Sequence, residues 1–249
     1  MASEISVEDQ VLVETVRKNG IGILRNLLSP EEIKAVRKEF DQAHLDLGKG
    51  PGTPGVRDSM SGEALLAYPN MAALYSHPRI MNIISTMLSE PTPWVWVVKT
   101  NRYTPEHIGV QKHTDGFLGE LAPPFTRQAM AVFLDDVDEE SGALTYVPGT
   151  HLMHFNDNPN RLPPTQEDID AGDYIPATPK AGDVVFRVPE VWHAVIPIRR
   201  MRRYVTASYS IRGQVSETMS ERMSQAIAQR KKIPRDNIPE RLQPYWIWD

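Results

Sequence analysis

The sequence predicts an α+β protein, with helices gathered toward the N-terminus and many short strands after them. Three observations carry that prediction. Between residues 7 and 89, apolar residues recur at spacings of three and four, the repeat of helices with one buried face. From residue 93 onward the chain runs in short segments rich in β-branched and aromatic residues, with turn formers between them. Proline is abundant, 21 of 249 residues, and many prolines fall in the connections, as in a sheet protein with irregular loops.

Residues 7–19 read as a short amphipathic helix ended by Asn19-Gly20, and Ile21 to Leu28 as a first strand. Ser29-Pro30-Glu31-Glu32 is a helix start, with serine as cap, proline in the first turn and glutamate three residues after the cap. Ile33, Val36, Phe40, Ala43 and Leu47 then form one apolar face, and Gly48 stops the helix. Four glycines and two prolines between Gly48 and Gly55 predict an irregular loop through residue 60. Helical spacing returns over residues 61–89, including Met81, Ile84 and Met87. Strands are expected at Trp94–Tyr103, Gln128–Leu134, Ala143–Val147, Asp183–Val188, Ala194–Ile198 and Arg203–Ile211. The polar, proline-rich stretch His151–Ala181 reads as a long functional loop. A last helix is expected at 216–232, with Met219, Met223, Ala226 and Ile227 on one face, and Tyr245, Trp246 and Trp248 should dock the tail. With no internal repeat, residues 1–249 read as one domain. Its parts are a helical layer (1–92), a strand-built core (93–212) and a C-terminal helix and tail (213–249).

Composition narrows the function. The formal net charge of −5 argues against a general nucleic-acid or anionic-membrane partner. The chain has no cysteine, which excludes disulfides, thiolate metal sites and a cysteine nucleophile. No targeting signal and no apolar run near ~18 residues is present, so the expectation is a cytoplasmic protein outside the membrane, monomer or homodimer.

The chain is organised around Gln111-Lys-His-Thr-Asp-Gly-Phe117. On an extended segment, His113 and Asp115 project the same way and can reach one metal ion. His193, in Val191-Trp-His-Ala-Val195, is the candidate for the second histidine. Two histidines and a carboxylate on one face of an octahedron leave open positions, the arrangement of Fe(II) enzymes that use dioxygen. Between these residues lie Asp135-Asp-Val-Asp-Glu-Glu-Ser-Gly-Ala-Leu144, Pro148-Gly-Thr-His151 and Gly182-Asp183, and after them an arginine cluster, Arg199, Arg200, Arg202 and Arg203.

That order over residues 93–212 resembles the phytanoyl-CoA dioxygenase-like family of Fe(II)/2-oxoglutarate oxygenases, whose pattern runs His-x-Asp, Gly-Ala-Leu, Pro-Gly-(Ser/Thr)-His, Gly-Asp, a distal His and then an Arg. The departure is Ala194-Val-Ile-Pro-Ile198 where the family usually has Gly-x-x-x-Asn. The resemblance implies a double-stranded β-helix, the jelly-roll or cupin-type barrel, with N-terminal helices packed on one sheet. It implies iron held by His113, Asp115 and His193, with 2-oxoglutarate and O2 as cosubstrates, a small-molecule substrate, and succinate and CO2 as co-products. Related halogenases lack the carboxylate, so Asp115 favours hydroxylation or another oxidation. Arg202 or Arg203 would pair with the far carboxylate of 2-oxoglutarate. Parity favours Arg202, which shares a strand face with Tyr204, Thr206 and Ser208, whereas Arg203 shares one with Val205, Ala207 and Tyr209. Arg199 and Arg200 read as exposed turn residues. Lys99 and Asn101 are further candidates for cosubstrate contact, Phe117 and Trp192 for substrate or core. Arg57, Arg127 and Arg161 suggest a polar or anionic substrate. His151 and His154 are read as structural, and the acidic turn 135–140 as solvated rather than a calcium loop, lacking its ligand spacing. The alternatives are a protein side-chain hydroxylase and a metal-binding cupin without oxygenase activity.

Overall fold

The computed structural model describes residues 5–115, 125–153, 164–212, Gln225 and 232–246. Helix α1 (Val7–Asn19) is capped by Ser6 and closed by Gly20 in the left-handed conformation, φ 83°. Strand β1 (Ile21–Leu24) is shorter than the expected run to Leu28. Helix α2 (Pro30–Asp46) begins with the predicted capping box between Ser29 and Glu32. It buries Val36, Phe40, Ala43 and His44, whereas Leu47, just past its end, is 41% exposed.

The stretch expected as loop through residue 60 holds strand β2 (Arg57–Ser61), which pairs with the strand from Trp94. Its sequence, Arg-Asp-Ser-Met-Ser, has almost no β-branched or aromatic content, and its order comes from the neighbouring backbone. The helical region at 61–89 divides into a 3-10 turn (Glu63–Ala67), α3 (Pro69–Leu74) and α4 (Pro78–Leu88). Pro69 and Pro78 each sit in a first turn, where the missing N–H costs nothing.

The strands that follow are β3 (Trp94–Tyr103), β4 (Val110–His113), β5 (Arg127–Phe133) and β6 (Leu144–Tyr146). The long connection, expected as loop, contains α5 (Thr150–Met153), α6 (Gln166–Asp170) and β7 (Ile175–Ala177), so about half of its described part is regular. The last strands are β8 (Val184–Arg187), β9 (His193–Val195) and β10 (Arg202–Ser210). The expected helix at 216–232 lies outside the described residues, except Gln225 and Lys232, as does Trp248. Trp246 docks as predicted, 2% exposed in the main core.

Two antiparallel sheets face each other, one ordered β1-β8-β5-β10-β3-β2 and the other β4-β9-β6-β7. The larger sheet separates two cores through the period-two alternation of its side chains. Its outer face (Val184, Phe186, Met130, Val132, Val205, Ala207, Tyr209) packs against Val13, Val16, Phe40, Met71, Ile80 and Ile84 of the helices. Its inner face contributes Val185, Phe133 and Tyr103 to a second core shared with Leu144 and Val195 of the smaller sheet. Mixed helix and antiparallel sheet with the helices on one side is the predicted class. Among the described residues, no helix is long and apolar enough to cross a membrane.

Candidate active site

The two histidines meet because β4 and β9 are antiparallel neighbours in which His113 stands directly opposite His193. Directly opposed side chains in such a pair lie a few ångströms apart, and here the ring centroids are 4.1 Å apart. The close approach begins at Gly109, φ 90°, where an added Cβ would fall 2.1 Å from the Val195 carbonyl oxygen. Strand β4 ends at His113, so Asp115 lies in the following turn. There its N–H donates to the Pro189 carbonyl at 3.1 Å, which ties the turn to the β8–β9 connection.

Each histidine presents the same nitrogen inward. His113 Nδ1 lies 2.7 Å from the Gln111 carbonyl and His193 Nδ1 lies 2.9 Å from the Val191 carbonyl. A carbonyl only accepts, so the Nδ1 that meets one is the donor side of the ring, and Nε2 is the nitrogen left to face a ligand. His113 Nε2 is 3.4 Å and His193 Nε2 3.8 Å from Asp115 Oδ1. One ligand atom from each residue lies within 4.8 Å of the others, a set able to hold one metal ion.

Arg187 of β8 completes the cluster by pairing with the other carboxylate oxygen, Asp115 Oδ2. Burial pushes the Asp115 carboxyl up, but the Arg187 charge and the His113 hydrogen bond outweigh it and hold the group well below the usual carboxylate range. Burial, followed by the Arg187 charge, pushes His193 down to about 3. The bond to Asp115 raises His113 against the effect of its burial. At neutral pH the cluster therefore offers a neutral imidazole at His193 and an ionised carboxylate, the forms in which these groups bind metals.

A cavity of about 270 Å³ between the sheets is lined by all three, by Arg187, and by Arg202, Lys99 and Asn101. Arg202 is 4% exposed, and among the described residues its Nε and Nη1 have no hydrogen-bond partner. Its guanidinium carbon lies 5.0–5.2 Å from the ring centroids of Tyr103, Phe133 and Tyr204. Such a buried cation, held by aromatic faces with donors unused, fits a carboxylate ligand. Arg203 points to the other face, where it donates to Asp135 and to Asp41 of α2, and this removes the second arginine candidate from the cavity. Burial lowers Lys99, and the Arg57 charge lowers it further. Asn101 lines the wall, but its Oδ1 already accepts from Arg57 and Ser59.

His151 is fully buried, with Nε2 3.0 Å from the Arg17 carbonyl, so it ties α5 to α1 and is not in the cluster. In the acidic turn, Asp135 pairs with Arg37 and Arg203, and Asp138 with Arg200. Trp192 is buried and does not line the cavity, and Arg127 pairs with Glu190. Phe117, His154 and Arg161 lie outside the described residues. Sequence reading missed Arg187, which parity with Val185 could have placed on the inner face.

The family model described as phytanoyl-CoA dioxygenase (PhyH) matches residues 16–199. Among solved structures, the chain is similar to the non-heme alpha-ketoglutarate-dependent carbocyclase SnoK from nogalamycin biosynthesis. The TM-score is 0.67 at 21% identity, covering 88% of this chain and 92% of that one. The epimerase SnoN, solved with Fe3+, alpha-ketoglutarate and nogalamycin RO, gives 0.64 at 21% identity over 82% and 84%. HygX from Streptomyces hygroscopicus, solved with nickel and 2-oxoglutarate, gives 0.65 at 16% identity over 84% and 88%. The likeness is one of fold, a double-stranded β-helix with N-terminal helices. None of the curated proteins matches the chain in sequence.

Proposed function

The chain belongs to the phytanoyl-CoA dioxygenase family, and from that premise we propose that it is an Fe(II)- and 2-oxoglutarate-dependent oxygenase of a small molecule. The observation that carries the proposal is the convergence of His113, Asp115 and His193 in one cavity with the buried guanidinium of Arg202, whose Nε and Nη1 have no hydrogen-bond partner among the described residues. In this reading the three residues hold iron and Arg202 holds the far carboxylate of 2-oxoglutarate.

Bound iron, with 2-oxoglutarate and dioxygen, supplies the oxidising power, and 2-oxoglutarate leaves as succinate and CO2. The protein's own residues set the conditions. The backbone carbonyls of Gln111 and Val191 fix the imidazole tautomers so that both Nε2 atoms face the metal position. Arg187 occupies Asp115 Oδ2, which leaves Oδ1 turned toward the two imidazoles. Tyr103, Phe133 and Tyr204 exclude water from around Arg202, which strengthens its pull on a carboxylate. A carboxylate at 115 occupies the position that chloride takes in the related halogenases, so the product expected is hydroxylated or otherwise oxidised, not chlorinated.

A panel of small molecules scored by succinate formation tests the proposal. A true substrate raises succinate release in step with its own oxidation, and the Asp115→Ala variant abolishes both. Substrate oxidation that continues without 2-oxoglutarate would refute it.

A further inference from the structure

We propose that Arg57 receives an anionic group of the substrate, a carboxylate or a phosphate, so that the molecule oxidised is a small organic anion. This rests on the oxygenase reading of the same cavity and names its substrate class.

The charges of the cavity do not balance. It is lined by four cations, Arg57, Lys99, Arg187 and Arg202, against one carboxylate, Asp115. Arg187 is paired with Asp115, and Arg202 is assigned to the cosubstrate. A divalent metal and a dianionic cosubstrate cancel each other, so the protein's excess of three positive charges survives loading. Among the described residues, neither Arg57 nor Lys99 forms an ion pair with a carboxylate. The Arg57 charge instead opposes protonation of Lys99, where it outweighs the favourable pull of Asp115, and of Arg202, as among cations that outnumber their counter-charges. The outer face of the same β2–β3 strand pair differs. There Arg102 is matched to Asp58 at 2.7 Å. Among the described residues the unmatched cations are thus on the cavity side, with Arg57 itself exposed to solvent there.

Arg57 is also held in place to receive one. Its Nε and Nη2 donate to Asn101 Oδ1 at 3.3 and 3.2 Å, and the guanidinium carbon stands 5.2 Å from the Tyr103 ring centroid. Ser59 Oγ donates to the same oxygen at 2.6 Å, and Ser59 is the cross-strand partner of Asn101 in the β2–β3 pair. Nη1 has no hydrogen-bond partner among the described residues. An arginine fixed on one edge and open on another is preorganised for an anion, so little side-chain freedom is lost on binding.

The test is calorimetric titration of Ni(II)- and 2-oxoglutarate-loaded protein with benzoate, phenyl phosphate and uncharged benzamide at one ionic strength. At least one anion should bind about tenfold or more tightly than benzamide, and the tighter anion identifies the group. Arg57→Gln should erase that preference and Arg57→Lys retain part of it, while 2-oxoglutarate affinity stays within about twofold in both. Three results would overturn the proposal: equal or absent binding of all three probes, an undiminished preference in Arg57→Gln, or a parallel loss of 2-oxoglutarate affinity that makes Arg57 a cosubstrate contact. A folded wild type that takes up neither nickel nor 2-oxoglutarate would sink the oxygenase reading first, before any probe is added, and this proposal with it.

Discussion

Replacing Arg202 with methionine should separate binding from stability. Arg202 is 4% exposed with Nε and Nη1 unbonded, and each unmet buried donor costs about 1–3 kcal/mol. Against that stand three aromatic faces at 5.0–5.2 Å, each worth about 0.5–2 kcal/mol. The two effects nearly cancel, so Arg202→Met without ligand should melt within a few degrees of wild type. A carboxylate that loses its buried partner forfeits about 2–5 kcal/mol, which weakens 2-oxoglutarate about thirty- to several-thousand-fold. Thermal melts together with titration of 2-oxoglutarate into Ni(II)-loaded protein measure both quantities. The neighbouring Arg203→Met should do the reverse. Arg203 is 15% exposed and bonds Asp135 and Asp41 at 2.8–3.0 Å. Its loss leaves Asp135 with the backbone N–H of residue 203, at 2.9 Å, and with Arg37, at 3.3 Å, and should cost about 2–3 kcal/mol of stability with 2-oxoglutarate affinity unchanged. An Arg202→Met protein that melts far below wild type but binds 2-oxoglutarate normally would show that the guanidinium is packing, not a receptor.

Arg187→Met should weaken Ni(II) binding about 10–100-fold, because Asp115 loses the partner that fixes its orientation; unchanged affinity by titration would deny Arg187 that role. Gly109→Ala should destabilise the fold by about 2 kcal/mol or more, since the new Cβ meets the Val195 carbonyl at 2.1 Å in a left-handed backbone. A melting temperature equal to wild type would refute the close approach of β4 and β9. His44 and His151 are buried and held below the ordinary value of 6.5, mainly by burial. The unfolded chain therefore binds protons that the native state does not, so stability is full above about pH 6.5 and falls below it. Melts at descending pH should show the fall, and His151→Gln should flatten it.

The helical layer, the period of the strands and the candidate ligand set His113, Asp115 and His193 were legible because each rests on local pattern. Ser29 and Glu32 cap α2 by their own side chains, and the parity of Arg202 with Tyr204 and Thr206 places it on the cavity side without tertiary information. What local pattern could not give depends on partners distant in sequence. Strand β2 has a polar sequence and exists through its pairing with β3, so Arg57 read as part of a glycine-rich loop. Arg187 was hidden because a run ending Val-Val-Phe-Arg looks like buried strand, and only the fold brings its last residue to Asp115. The division of 61–89 was written in Pro69 and Pro78, which the helical spacing masked.

The central claim is that His113, Asp115, His193 and Arg202 form one site for Fe(II) and 2-oxoglutarate. Anaerobic titration of the protein with Fe(II) and 2-oxoglutarate, followed in the visible spectrum, tests it most directly. The account predicts a weak metal-to-ligand charge-transfer band that needs both additions, disappears in His113→Ala, Asp115→Ala and His193→Ala, and in Arg202→Met requires far more 2-oxoglutarate. Absence of the band in folded wild-type protein, or its persistence at full strength in the Asp115→Ala variant, would contradict the account.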